Sequence, residues 1–442
     1  MSKYTDEFRA AAHRAVDWAA DYLEDARRYP VMPAIQPGEL VESLPPSAPD
    51  AGEPFDAILK DFDKLIMPAV MHWNHPGFMA YFSCTGSSPA IIAEMLAATL
   101  NTNGIHWITS PAVAELEHVG MQWLRQWLGL PDTFFGEIFD TASVSTLHGI
   151  AAAREMADPG ARENGSRPDM VLYTSEQAHS SVEKGAIALG LGQRNVRKIG
   201  VDTEFRMRPD LLAEAIERDR AAGKRPFCVV ATVGTTSTTS IDPVPAIADI
   251  AGEHGLWLHV DAAYGGGAAV VPEFQHIFAG VDRAHSLVVN AHKWMFTPMD
   301  LSAFFTRRPD ILRRAFSLTP EYLKPHEDPR AINLMDYGVP LGRRFRALKL
   351  WFVMRYFGRE GISNLIREQV AMAKDLACKV DAEPRFERSA PTPLSVVCLR
   401  YKGADQENQA IVDAVNASGK AFIAPTRLNG KLVIRVAIGN LG

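Results

Sequence analysis

Apolar residues recur every three or four positions from the start of the chain. Phe8, Ala12, Val16, Ala19 and Leu23 fall on one face of a helix predicted over 6–28. Pro30 and Pro33 end it, because proline has no amide hydrogen to continue the ladder. The stretch "PSAPDAGEP" (46–54) is a linker, and a second helical pattern runs from Phe55 to about Ile66. Such a helical arm carries an apolar stripe but no companion core. A second copy of the chain is a surface on which it can pack.

From about 88 to 348 the pattern changes to short apolar runs alternating with helical segments. "MVLYTS" (170–175), "PFCVVATVG" (226–234), "LWLHVDAA" (256–263), "SLVVNAH" (286–292) and "LSAFFT" (301–306) are predicted strands. Several are apolar throughout rather than alternating, which marks strands covered on both faces, as in a parallel sheet between helices. Helical patterns at 209–222 and 243–254 separate them. This alternation predicts an α/β doubly wound domain. Beyond about 349 come a helix at 359–380, a strand "LSVVCLRY" (394–401), a helix at 405–418 and a strand "KLVIRVAIG" (431–439), together a small α+β unit. The expected organisation is a helical arm over 1–87, a large α/β domain over 88–348 and a small C-terminal domain over 349–442.

Composition changes this picture only by exclusion. The 442 residues exceed one ordinary small domain, and 47% apolar residues suffice for a large core. A formal charge of −6 gives no argument for nucleic acid or an anionic membrane as partner. Cys84, Cys228, Cys378 and Cys398 are scattered, forming neither a zinc pattern nor a disulfide framework. The first thirty residues carry acids and no signal-type apolar core, and no apolar run approaches the ~18–20 residues of a membrane span. A soluble, cytoplasmic protein is expected.

Ligands of open α/β sheets gather at the carboxyl ends of the strands. The strand exits here carry His179 in "EQAHSS", the hydroxyl run "GTTSTTS", Asp261 in "HVDAAYGGG", and Asn290, His292 and Lys293 in "NAHK". Upstream, "DTASVSTLHGIAAARE" (140–155) sets small hydroxyl residues before a helical pattern, an anion-binding arrangement. Pyridoxal phosphate needs such a set. A lysine holds its aldehyde as a Schiff base, a carboxylate keeps its ring nitrogen protonated, and helix-terminal N–H groups and hydroxyls take its phosphate. Each residue alone has a plainer reading. Lys293 could be a solvated loop residue, Asp261 a helix cap, and His179 a structural histidine. "GGG" at 265–267 reads as a tight turn and lacks the G-x-G-x-x-G spacing. His72/His75 and His254/His259 lack the companion acids or cysteines of a metal site, so no metal is expected. The ordered combination carries the argument.

"YTSEQAHSSVEKG", "ATVGTTSTTSIDP", "LWLHVDAAYGGGA", "NAHKWMFTPMD" and "LGRRFRALKLWFVMRYFG" resemble the aromatic-L-amino-acid decarboxylases of the group II pyridoxal-phosphate decarboxylase family. The likeness runs from "AVDWAADYLE" to "LVIRVAIGN". It implies fold type I of the pyridoxal-phosphate enzymes and a homodimer with the active site at the subunit interface. By matching motifs, Lys293 would be the Schiff-base lysine, Asp261 the partner of the pyridine nitrogen, Ala263 the residue beneath the ring and His179 the residue over it, near the substrate carboxylate. Ala142, Ser143, Thr236 and Asn290 would complete the cofactor site. Trp294 and Phe296 would pack the following turn.

The polar stretch "SLTPEYLKPHEDPRAI" (317–332) reads as a loop. In the family, the tyrosine of its "P-x-Y-L-K" motif, here Tyr322, protonates the α-carbon after carbon dioxide leaves. Relatives with phenylalanine there make aldehydes instead. Family substrate pockets draw on 72–88 and, across the dimer, on 102–111. Trp73, Phe82, Ile105 and Trp107 suit a flat aromatic ring, and neither stretch contains Lys or Arg, which counts against an acidic substrate. Cys84, or Thr85 if the alignment slips by one, occupies a position that meets ring hydroxyls in animal members. Asn103 adds a polar edge, and Gly342 matches the small alternative that accompanies indolic substrates. "MDYGVPLG" is a few residues shorter than its animal counterpart. Members usually continue past the last strand into a helix, whereas "AIGNLG" ends the sequence. Its absence is expected to weaken the small domain more than the chemistry. The first reading is an aromatic L-amino-acid decarboxylase. An aldehyde synthase, an acidic amino-acid decarboxylase and a non-catalytic cofactor-binding scaffold are the alternatives.

Overall fold

The computed structural model describes residues 2–318 and 330–441. Among these, seven strands form the central sheet. They are β1 (Phe135–Phe139), β2 (Met170–Ser175), β3 (Val196–Ile199), β4 (Arg225–Thr232), β5 (Trp257–Asp261), β6 (Ser286–Val289) and β7 (Ser302–Thr306). The spatial order is β1-β7-β6-β5-β4-β2-β3. β7 runs antiparallel to both its neighbours, and the other pairings are parallel. Every residue of β2, β5, β6 and β7 is buried, which is why these strands read as unbroken apolar runs.

The two edge strands escaped the sequence pattern. β1, "FGEIF", contains Gly136 and Glu137, and β3, "VRKI", contains two cations. The reversed direction of β7 is also invisible to composition, since a strand covered on both faces is apolar whichever way it runs.

Three expectations change. The run 286–292 is not all strand. β6 stops at Val289, and Ala291–Trp294 forms one helical turn with Asn290 at its N-cap. The helix expected at 359–380 belongs to Arg346–Ala382, which crosses the expected boundary at 348/349 and is interrupted only at Gly358, whose φ is +63°. Finally, "GGG" is a helical turn, Gly265–Ala268, rather than a tight turn. A Cβ on Gly266 would lie 2.5 Å from Val289 Cγ2, and one on Gly267 would lie 2.8 Å from Trp294 Cβ. Glycine therefore lets this turn press directly on β6 and on the turn that carries Lys293.

The expected arm begins with the helix Ser2–Glu24 and a 3-10 turn, Ala26–Arg28. Downstream, β8 (Phe386–Arg388), β9 (Val396–Tyr401), β10 (Ala424–Leu428) and β11 (Lys431–Ala437) form an antiparallel sheet in the order β10-β11-β9-β8. Trp294 joins the layers. Its fully buried ring stacks on Tyr264 at 4.5 Å, and its Nε1 donates to Gln369 Oε1 at 2.5 Å. Phe296 is equally buried.

Candidate active site

A cavity of about 200 Å³ opens at the carboxyl ends of β2, β4, β5 and β6. Larger hollows of about 370 and 560 Å³ lie elsewhere, but they do not gather the strand-exit residues. Lys293 lines this cavity from the helical turn after β6. Its Nζ lies 5.0 Å from the centroid of the Phe82 ring. Burial holds the amine below its ordinary pKa. The Asp261 carboxylate opposes that shift, as the Cys84 thiol would once ionised, and Arg435 reinforces it. Phe82 is itself stacked on Tyr264 at 3.7 Å, so Phe82, Tyr264 and Trp294 form a continuous pile beside the amine.

Asp261 closes β5, and its Oδ1 accepts the N–H of Ala263 at 3.0 Å. The Ala263 carbonyl in turn accepts the N–H of Asn290 at 3.1 Å, which ties the β5 and β6 exits together. His179 follows β2 and stays exposed while lining the cavity. Its Nδ1 accepts the Ser181 N–H at 3.2 Å, so the neutral ring carries its proton on Nε2. Desolvation holds the imidazole below its usual pKa; Asp261 opposes the shift, and Lys293 adds to it.

Ala142 and Ser143 open the helix Ala142–Ala157 with Thr141 at the N-cap. The Thr141 carbonyl accepts the N–H groups of Val144 and Ser145. The first N–H groups of a helix have no carbonyl within it to bond, and Ala142 and Ser143 both line the cavity. Thr236 reaches it from the turn after β4. Every expected cofactor residue thus borders one space, as does Phe82.

Sequence reasoning passed over Thr232, Tyr264 and Met299, which also line it, and gave His292 no role. Thr232 ends β4, and its position two residues before the hydroxyl-rich turn was the available signal. His292 accepts the Leu301 N–H at Nδ1, 3.0 Å, and burial pushes its pKa down to about 3. It is therefore neutral, with its proton on Nε2.

The expected substrate residues are placed differently. Trp73 is part-exposed and packs on Phe78 at 4.2 Å. Ile105 is half-buried, with its carbonyl accepting the Met335 N–H. Gly342 is exposed beside Asn103. None of the three borders the cavity within one chain. Cys84 is half-buried outside the lining, but burial raises its thiol pKa while the Lys293 charge pulls it down. Thr85 instead commits its hydroxyl to Asn440 Oδ1 at 2.6 Å. Of the two, Cys84 is the residue that faces the amine electrostatically. Tyr322 lies outside the described residues.

The paired histidines have local uses. His72 Nδ1 meets the Tyr22 hydroxyl at 3.0 Å, His75 Nδ1 accepts the Gly77 N–H at 2.8 Å, and His259 Nδ1 meets Ser286 Oγ at 2.8 Å. Among the described residues, no cluster of three or more His, Cys, Asp or Glu side chains is arranged to hold a metal ion.

Two buried polar atoms on the cavity wall, Asn290 Oδ1 and Thr232 Oγ1, have no hydrogen-bond partner among the described residues. Buried polar atoms are normally satisfied. Together with a depressed amine, a carboxylate and a helix N-terminus, they fit a polar, phosphate-bearing aldehyde. Residues 37–402 match the pyridoxal-dependent decarboxylase conserved domain. The chain belongs to this family. Among similar members, the aromatic-L-amino-acid decarboxylase of Sus scrofa is 42% identical over 98% of this chain and 92% of its own length. The phenylacetaldehyde synthase of Arabidopsis thaliana is 39% identical over 98% and 92%. Among solved structures, that of Oryza sativa TDC with PLP and tryptamine superposes with a TM-score of 0.95 at 36% identity, covering 98% of this chain and 94% of that one. The central sheet, helical N-terminal region and small antiparallel sheet are thus those of a pyridoxal-dependent decarboxylase.

Proposed function

We propose that this decarboxylase converts an aromatic L-amino acid to the arylalkylamine and carbon dioxide, with pyridoxal phosphate held at Lys293. The observation that carries the reading is the single cavity bordered by Lys293, Asp261, His179 and the helix start at Ala142 and Ser143. When bound, the cofactor supplies an electron sink for the pair left on the α-carbon. Lys293, Asp261, Ala263, His179, Thr236, Asn290, Ala142 and Ser143 would hold it. His179 would donate from Nε2 toward the substrate carboxylate. The bond from the α-carbon to the carboxylate breaks, carbon dioxide leaves, and Tyr322 would deliver its hydroxyl proton to the same carbon.

Trp73, Phe82, Cys84, Ile105 and Gly342 would form the side-chain pocket, completed by a second copy of the chain. Support for that copy comes from apolar side chains left at the surface. Phe8 and Val16 lie exposed on the arm, and Ile92, Met95, Leu96 and Leu100 on the helix Ser88–Leu100. Light scattering is expected to return twice the chain mass of 48.6 kDa, and a monomer mass at working concentration would remove the shared pocket. The division into arm (1–87), cofactor domain (88–348) and C-terminal domain (349–442) is kept in this proposal. No described helix is long and apolar enough to cross a membrane. A cytoplasmic setting is proposed because all four cysteines are unbridged.

The likeness to an aldehyde synthase favours a second reading, in which the same cavity consumes dioxygen and water and yields an aldehyde, carbon dioxide, ammonia and hydrogen peroxide. Tyr322 argues for the amine. Protein loaded with cofactor and offered tryptophan, tyrosine, phenylalanine, dopa and glutamate should accumulate arylalkylamines by mass spectrometry. Tyr322→Phe should lower amine output by about 10²-fold, the usual worth of a positioned proton donor, and should raise aldehyde and peroxide. Unchanged amine output from that variant would remove Tyr322 from the reaction. Consumption of glutamate alone would refute the aromatic pocket.

A further inference from the structure

Arg435 is the one charge inside the apolar run "LVIRVAIG" of β11, and it is only 4% exposed. Its Nε donates to the Thr236 carbonyl at 2.9 Å and to the Ser237 carbonyl at 3.3 Å. Its Nη1 donates to the Tyr81 carbonyl. Its Nη2 is buried without a partner, and no carboxylate pairs with the guanidinium among the described residues. The guanidinium carbon lies 4.7 Å from the centroid of the Phe82 ring, the same ring that Lys293 Nζ approaches at 5.0 Å. The two distances bound the separation of the cations at about 9.7 Å.

A buried cation without a counter-charge is costly to the fold, so its placement here calls for an account beyond packing. The backbone it grips explains part of it. Thr236 borders the cavity, and Tyr81 precedes Phe82, which also borders it. The charge explains the rest. Asp261 favours a proton on Lys293, as Cys84 would once ionised, and burial lowers the pKa of the other groups facing the amine, His179 and His292. Capture of an aldehyde by Lys293 forms a carbon–nitrogen double bond and releases the aldehyde oxygen as water. The attack needs the nitrogen lone pair, and therefore the neutral amine.

We propose that Arg435 is a positioning residue of the cofactor cavity: it clamps the Thr236–Ser237 turn and the Tyr81–Phe82 segment to the C-terminal sheet and, as an unpaired cation, disfavours a second positive charge at Lys293. The inference rests on the reading of Lys293 as the cofactor lysine and gives a role to a residue that the matching motifs left without one. Burial of Lys293 acts in the same direction, and the Arg435 charge adds to it.

The test is the pH dependence of pyridoxal phosphate uptake by the apoprotein, trapped at Lys293 with borohydride and located by peptide mapping. Arg435→Gln removes the charge. It should raise the midpoint of the uptake rate by about one pH unit, the effect of a unit charge ~10 Å away at an effective dielectric of about 20. Arg435→Lys keeps the charge but not the fork. It should hold the midpoint while releasing cofactor severalfold faster. An unchanged midpoint in Arg435→Gln, or an equal upward shift in both variants, would overturn the electrostatic role. If Arg435→Gln fails to fold, Arg435→Lys still decides. A midpoint raised by a full unit with the charge retained overturns the proposal, and an unmoved midpoint with faster release supports it. Cofactor trapped in the unaltered protein at another lysine would overturn the reading of Lys293 itself, and this inference with it.

Discussion

Lys293→Ala is expected to abolish amine formation while leaving the protein folded. The two halves of that expectation have separate grounds. The chemical half follows from position. Lys293 is the amine on the wall of the cavity bordered by Asp261, His179 and the helix start at Ala142, and no other lysine lines it. Without it the aldehyde has no nitrogen to hold it there, so turnover should fall below about one-thousandth of the unaltered rate, at least 4 kcal/mol of lost barrier reduction. The structural half follows from energetics. The amine is desolvated, and its pKa is held down by that burial, so the fold gains little from it. The turn that carries it is fixed by other groups: the Trp294 ring against Tyr264, the Trp294 bond to Gln369, and the glycines packed beneath. Removing the side chain should change stability by no more than about 1 kcal/mol. Carbon dioxide release and a thermal melt check both halves. Turnover above one-tenth of the unaltered rate would show that Lys293 is not the cofactor lysine. A collapsed melt would show that the amine supports the fold.

The contrast with Arg435 shows what a sequence can carry. Asp261 ends an apolar strand, and Asn290, Lys293 and His179 follow one within a few residues. Each is therefore legible as a polar group delivered to the rim of a sheet. The strands themselves were legible because burial on both faces demands apolar residues at every position. β1 and β3 were not: β1 carries Glu137, buried and paired with Arg343, and β3, at the sheet edge, carries two cations. Arg435 lies 142 positions after Lys293, in a different sheet, and only folding brings the two to one phenylalanine ring. Periodicity says nothing about such a meeting. The pocket residues failed to converge for another reason. Trp73, Ile105 and Gly342 do not border the Lys293 cavity within one chain, and the motif resemblance had assigned part of that pocket to a second copy.

Arg343 offers the other large effect, on stability rather than chemistry. It is buried between two carboxylates, with Nη2 to Glu117 Oε1 at 2.7 Å and Nη1 to Glu137 Oε1 at 2.8 Å. One guanidinium cannot neutralise two carboxylates in a dry interior. Burial pushes Glu137 up to about 8, Arg343 opposing and the Glu117 charge adding to the rise. Burial raises Glu117 as well, with Arg343 opposing, so near neutral pH Glu137 keeps its proton and the cluster buries less negative charge than two carboxylates. Arg343→Met would strand Glu117, whose remaining support is the Ile138 N–H at 2.8 Å. Breaking a buried pair from one side costs about 3–5 kcal/mol, so in a chain of this length the melting temperature should drop by about 3–5 °C. The pH dependence fixes the sign. Glu137 binds its proton more tightly folded than unfolded, so its contribution to stability is complete below the unfolded value of 4.5 and is lost as pH rises through about 8. Glu137→Gln cannot lose that proton, and its melting temperature should decline less than that of the unaltered protein between pH 5 and 8.5. Parallel declines would mean that Glu137 is already ionised. The cluster also reaches the proposed pocket. The Arg343 N–H donates to Asn103 Oδ1 at 2.9 Å, and its carbonyl accepts the Gly104 N–H at 2.9 Å, directly beside Gly342 and Ile105. Whatever activity survives in Arg343→Met at low temperature should therefore show a raised KM before a lowered kcat, because the lip shifts while Lys293 stays where β6 leaves it.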